Sequence, residues 1–115
     1  MSTFEQIESK AIQWARDRKI IENSTPLAQT RKTLEEVGEL LEAAAAVNAL
    51  DCGDMRALAY RDDYIDAVGD IIVTLIVGTA CAGVTVTECL EAAFEQIKDR
   101  RGHLRADGVF VKEAG

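Results

Sequence analysis

Proline occurs once in this 115-residue chain, at Pro26, and histidine once, at His103. A single proline and few alternating β-branched runs leave little to break helices or to build strands, so the reading is all-α. One histidine excludes the paired Glu-x-x-His motifs that a di-iron carboxylate bundle needs. Cys52, Cys81 and Cys89 are odd in number and lack Cys-x-x-Cys spacing. They fit packing in a reducing cytoplasm better than a disulfide framework or a zinc site. Basic residues are outnumbered by acidic ones, for a net charge of −7, which argues against a general nucleic-acid binder. The start, Met1 to Glu5, has no basic, apolar leader, and the most apolar run, Ile71 to Gly83, is shorter than the roughly 20 residues that cross a bilayer. The expectation is a soluble, cytoplasmic protein with no membrane partner, folded as one domain over residues 1–115.

What is present is helical periodicity. Phe4, Ile7, Ala11, Trp14 and Arg18 recur at helical spacing and predict a first helix from Thr3 to about Ile21. Thr25-Pro26 is an N-cap followed by a residue suited to the first helical position, opening a second helix to about Leu50 with the stripe Leu34, Val37, Leu41 and Ala44. Asp51 to Asp54 forms a connection, with a short helical turn through Met55 to Tyr60. A third helix spans about Arg61 to Ala82 and closes at Gly83. Thr85-x-x-Glu88 is a capping box for a fourth, expected to end near Arg101 with Gly102 as its stop. The tail holds a short extended segment, Gly108 to Lys112. Four helices with short connections suggest a four-helix-bundle-like architecture.

The chemistry lies in two acidic clusters, Glu35-Glu36-Val37-Gly38-Glu39 and Asp66-Ala67-Val68-Gly69-Asp70. Carboxylates three or four residues apart share a helix face and repel one another. The alternative is an ordinary solvated face. On the third helix, however, the face carrying Asp63, Asp66 and Asp70 continues as Val73, Thr74 and Val77, opposite a second apolar face of Ile65, Val68, Ile72 and Leu75. A helix apolar all round is a buried one, which places Asp70 at the mouth of a core where an unpaired charge is costly. A hard divalent cation, above all Mg²⁺, resolves such a cluster. Gly38 and Gly69 each cost about 1 kcal/mol of helix propensity relative to Ala; close approach of a helix or ligand is one use for them, and a tolerated accident of sequence is the alternative. Lys98, Arg100, Arg101, His103 and Arg105 crowd one end. Dipole complementarity accounts for one or two of them, and phosphate binding by Lys98 and Arg101, at i and i+3, is the functional reading. Trp14 reads first as core and second as a surface for stacking a base.

These motifs resemble the MazG-like all-α nucleoside triphosphate pyrophosphohydrolases, whose signature is a Glu-Glu-x-x-Glu helix followed by a Glu-x-x-Asp helix. Glu35-Glu36-Val37-Gly38-Glu39, flanked by Lys32 and Leu34, matches the first part, and Val68-Gly69-Asp70-Ile71-Ile72 the second. Trp14-Ala15-x-x-Arg18, Ile97 to Gly102 and Gly108 to Lys112 look like the short, single-domain members found in phages. Ala67 stands where the family has the glutamate of Glu-x-x-Asp, and Asp66, on the face of Asp70, is the replacement. Glu95 stands where related chains often carry asparagine. The resemblance implies Mg²⁺-dependent (or Mn²⁺-dependent) hydrolysis of a (deoxy)nucleoside triphosphate to monophosphate and pyrophosphate. It implies metal ligands Glu36, Glu39, Asp66 and Asp70, with Glu35 completing the catalytic set. It also implies contacts to substrate from Lys32, Lys98, Arg101 and Trp14, and a homodimer or homotetramer. The phage-like flanks favour a purine such as dGTP, GTP or dATP. The other class is a non-catalytic helical module that binds a metal or a protein, which the missing glutamate at position 67 favours.

Overall fold

The computed structural model describes residues 1–49 and 56–113. Its elements are α1 (Phe4–Asp17), α2 (Ile20–Asn23), α3 (Pro26–Ala49), α4 (Arg56–Cys81), α5 (Val86–Ile97) and the strands β1 (Gly102–Leu104) and β2 (Phe110–Lys112). The fold is all-α, with α3 and α4 the dominant packed pair and α1, α2 and α5 set against α4.

Local chemistry explains the boundaries. The Thr3 side chain accepts the Gln6 N–H while Gln6 Oε1 accepts the Thr3 N–H, a reciprocal cap that starts α1. The single first helix expected to run to Ile21 is in fact two. Lys19 adopts φ 61°, in the left-handed region, and donates its N–H back to the Arg16 carbonyl, so α1 ends and α2 begins at a new angle. Thr25 accepts the Ala28 N–H and caps α3. Helix α4 begins at Arg56 rather than Arg61, absorbing the turn expected before it, and Gly83 at φ 80° closes its end. The predicted connection through Cys52 lies outside the described residues. Thr85 caps α5 by accepting the Glu88 N–H.

The C-terminal end departs most from expectation. Helix α5 stops at Ile97, four residues before Arg101, and Gly102 is not its stop. Instead Gly102 opens β1, which pairs antiparallel with β2 in the register Gly102↔Lys112, His103↔Val111 and Leu104↔Phe110. A Cβ at Gly102 would collide with the Val111 carbonyl oxygen of the partner strand and press on the Phe110 ring, so this position must stay bare for the strands to close. Gly108, at φ 89°, supplies the turn.

The α3 face is reversed from expectation, whereas the Asp70 face of α4 does run into a buried end at Thr74 and Val77. On α3 the stripe read as core is outward, with Leu34 73% and Leu41 70% exposed, whereas Glu36 and Ala43 are buried. On α4, Ala67, Thr74, Ile76 and Val77 are buried while Ile65 and Leu75 are exposed. The two helices pack through their small and acidic faces and leave apolar ones outside. No large side chain is fully buried among the described residues. The chain exposes 8818 Å² and has a radius of gyration of 17.1 Å. A compact protein of this size would expose roughly 6,200 Å² within a radius of about 13 Å. Helix α4 is long and apolar enough to cross a membrane by length and composition, since the apolar run expected to be too short lies within a 26-residue helix.

Candidate metal centre

Helices α3 and α4 run antiparallel, and their contact sets the register of the acids. Thr33 and Thr74 meet across the pair with their hydroxyls 2.6 Å apart, each also placed to donate to a carbonyl of its own helix (Gln29 and Ile71). Glu36 lies three residues after Thr33, and Asp70 four before Thr74, so both acids stack above the threonine contact on the facing surfaces. Beyond them the small residues Ala43 and Ala67 are buried, which lets the helices approach. The acids are thus held between a threonine pair and two alanines. The carboxylates of Glu36, Glu39 and Asp70 each place an oxygen within 4.8 Å of the others.

The three are not equivalent. Glu36 is buried, and its Oε2 has no hydrogen-bond partner. Its Oε1 lies 3.5 Å from Lys32 Nζ, which also pairs with Glu35 at 3.1 Å. Those two carboxylates raise the Lys32 pKa above its ordinary value, chiefly through the hydrogen bond and charge of Glu35. Glu39 and Asp70 are exposed. The Glu39 carboxyl is pushed above its ordinary range, first by a hydrogen bond shared with Glu36 and by the Glu36 charge, then by desolvation and by Asp70. Lys32 offsets part of that. A lone pair buried among like charges can be satisfied by a proton or by a cation. An all-oxygen donor set of three carboxylates fits a hard divalent ion, with Glu36 Oε2 as the donor in need of it.

Above the three acids opens a pocket of about 380 Å³, walled by Glu39 and Glu42 from α3 and by Asp63, Asp66, Ala67 and Asp70 from α4, with Tyr60 at one side. Asp66 therefore faces the same space as Asp70 but stands outside the close trio. Buried Ala67 forms wall where a longer acidic side chain would otherwise project. Glu35 points outward to Lys32 and is separate from the trio.

The remaining predicted residues are not gathered here. Lys98 pairs with Glu95 at 2.8 Å at the end of α5, which touches α1 and α4 but not α3. Arg101 precedes β1, and among the described residues no helix packs against either strand. Trp14 is not core: it is 45% exposed, with the Arg18 guanidinium 4.5 Å from its ring centre. Close approach of another helix does not account for Gly38 and Gly69, because a Cβ at either would meet nothing within 4 Å among the described residues. Glu8 was missed by sequence reasoning. It is 4% exposed, and its carboxylate accepts the Val86 N–H at 2.7 Å and the Thr87 hydroxyl at 2.6 Å, tying α1 to the first turn of α5. Its partners lie 78 and 79 residues away, so no local pattern signals it.

No family model matches the chain, and no solved structure matches it. Among curated proteins it is similar to an uncharacterized 18.2 kDa protein in the rep-hol intergenic region of Haemophilus phage HP1. The two are 32% identical over 75 residues, covering 59% of this chain and 46% of the phage protein, so the chain spans about half the length of that relative.

Proposed function

We propose that this chain is a MazG-like, Mg²⁺-dependent nucleoside triphosphate pyrophosphohydrolase. The observation that carries the reading is the convergence of Glu36, Glu39 and Asp70 around an unpartnered, buried Glu36 oxygen, at the positions where the two halves of the motif fall. Glu36, Glu39 and Asp70 would hold Mg²⁺ (or Mn²⁺), and Asp66, on the pocket wall, would extend the donor set in place of the side chain absent at Ala67. A divalent ion there supplies charge neutralisation for a triphosphate and a more acidic bound water. Glu35, held by Lys32, orients the attacking water, and cleavage falls at the α–β phosphoanhydride. Lys32, Lys98 and Arg101 bind the outer phosphates, and Trp14 offers its exposed ring to the base. The substrate class is a purine nucleotide such as dGTP, GTP or dATP. The protein works in the cytoplasm as a homodimer or homotetramer, a state supported by the exposed apolar faces of α3 and α4. Those faces, including the membrane-length helix α4, pack against a second copy rather than lipid, because α4 carries Asp62, Asp63, Asp66 and Asp70 between its N-terminal end and its middle.

Incubation with each of the eight common nucleoside triphosphates and Mg²⁺, with products separated by nucleotide chromatography, tests this. Monophosphate and pyrophosphate without diphosphate is the expected result, and the order of rates names the base. A second reading, a non-catalytic helical module that binds a metal or a protein, is favoured by Ala67, which removes one carboxylate from the pocket wall. Metal binding by calorimetry with no hydrolysis of any triphosphate would establish it.

A further inference from the structure

Among the described residues, the two strands of the C-terminal hairpin pack against each other and against no helix. A two-stranded hairpin alone is marginal in water, and this one has only three residues per strand. Its pairing register puts Leu104 and Phe110 opposite each other on one face, with Lys112 at the edge of that face. Leu104 is 69% exposed and Phe110 52%. Arg100, Arg101 and Lys112 make no ion pair among the described residues. Elsewhere on the molecule, α1 and α5 line a groove of about 550 Å³ with the apolar Phe4, Leu90 and Phe94 and the acidic Glu5, Glu91 and Glu95, the last paired with Lys98. One element is apolar with a basic rim and lacks a seat, and the other is an apolar seat with an acidic rim.

We propose that the C-terminal hairpin is an exchanged arm that docks, Leu104 and Phe110 first, into the α1–α5 groove of a second copy of this chain. The occupant is a second copy because, among the described residues, no helix of the hairpin's own chain packs against it, and its basic residues match the acidic groove in charge. Each chain also exposes roughly 2,600 Å² beyond what its mass predicts, an excess on the scale of a permanent interface. Arg100, Arg101 and Lys112 then face the glutamates of the groove, which fixes the direction in which the arm lies. The inference rests on the self-association proposed above and is independent of hydrolysis.

Disulfide trapping tests it. In a background with Cys52, Cys81 and Cys89 changed to Ser, chains carrying Phe94→Cys and chains carrying Phe110→Cys, tagged to differ in size, are co-expressed and mildly oxidised. The expected product is a covalent heterodimer in the mixture. Its absence overturns the arm, as does a purely intramolecular bond when both cysteines share one chain. Sedimentation equilibrium gives a second readout: Phe94→Asp and Phe110→Asp, both at exposed positions, should each weaken association by about tenfold or more with helix content unchanged. If association is unaltered in both, the arm is overturned while self-association stands. A monomeric unmodified protein overturns both.

Discussion

The α3–α4 pair and the C-terminal hairpin are opposite solutions to the same problem. The helices lie along one another and hold their contact by the Thr33–Thr74 hydroxyl pair and two buried alanines. Among the described residues, no helix packs against either strand of the hairpin. The pair can therefore position three carboxylates without help, and the proposed metal chemistry belongs to a single chain. Lys98 and Arg101, the residues proposed to bind phosphate, lie at and next to the C-terminal region against which no helix packs among the described residues. A site assembled from both would need the second copy to bring them together, so chemistry and assembly are separable by mutation.

The largest effect should come from the self-sufficient half. Asp70→Asn removes one of the three converging carboxylates at an exposed position, so the fold loses nothing. Loss of even an outer-shell partner costs metal sites 10–100-fold in affinity or activity. Turnover of the preferred triphosphate should fall by at least about 100-fold with far-UV circular dichroism unchanged. A fully active Asp70→Asn protein would sink the metal assignment.

The next effect sharpens the boundary between the two regions. Glu8 is the buried link that carries α5, and with it the hairpin, on α1. Glu8→Ala orphans the Val86 N–H and Thr87 hydroxyl at once, and hydrogen bonds to a charged group are each worth about 1.5–3 kcal/mol. Urea unfolding should show a loss of about 2–3 kcal/mol, while metal affinity measured by calorimetry stays within twofold. A coupled loss of both would show that the acidic site depends on the C-terminal region after all.

Which parts were legible in the sequence follows from the range of the interactions. Caps are local, so Thr3, Thr25, Thr85 and Gly83 mark helix boundaries that the structure keeps. The acids of α3 and α4 repeat at helical spacing, so their common faces could be read, and the turn of the Asp70 face into Thr74 and Val77 located the buried end of α4. Periodicity does not tell which of two faces a helix buries when both are partly apolar. Leu34 and Leu41 read as core, yet Glu36 and Ala43 took that place, because the decisive partner lies on another helix. The break at Lys19 has no glycine or proline to announce it. The hairpin needed Gly102 as a strand residue, and a basic helix end followed by glycine looks the same as a helix stop. Glu8 had no signal at all, being defined only by residues near position 86.

Proton and metal should compete at the same carboxylates, which gives a pH test of the pair alone. The Glu39 pKa is raised above its unfolded value by Glu36 and Asp70, so the folded chain binds that proton more tightly than the unfolded one. Metal-free protein should therefore gain stability as pH falls into the range just above the ordinary glutamate pKa, and lose that gain as pH rises through the raised value. Mg²⁺ should flatten this dependence, because it stabilises the ionised trio. Thermal melts from pH 4 upward, with Mg²⁺ or with chelator, read both slopes. Identical slopes would mean that the ion binds elsewhere.

The smallest effect separates what a single chain leaves open from what a second molecule fills. Gly38 and Gly69 lie inside α3 and α4, one residue before Glu39 and Asp70, and neither has an atom within 4 Å of a built Cβ. In this chain the glycines serve no helix contact, so alanine should gain helix propensity at no steric cost, about 0.8–1 kcal/mol per site. Chemical denaturation of Gly38→Ala and Gly69→Ala should show that increase. If activity persists in both, the bare positions are tolerated accidents of sequence. A variant that is more stable but binds nucleotide poorly would place the substrate against that backbone. One that is more stable but fails to self-associate would place the partner there, and the two helices would then share the dependence on a second copy that distinguishes the hairpin.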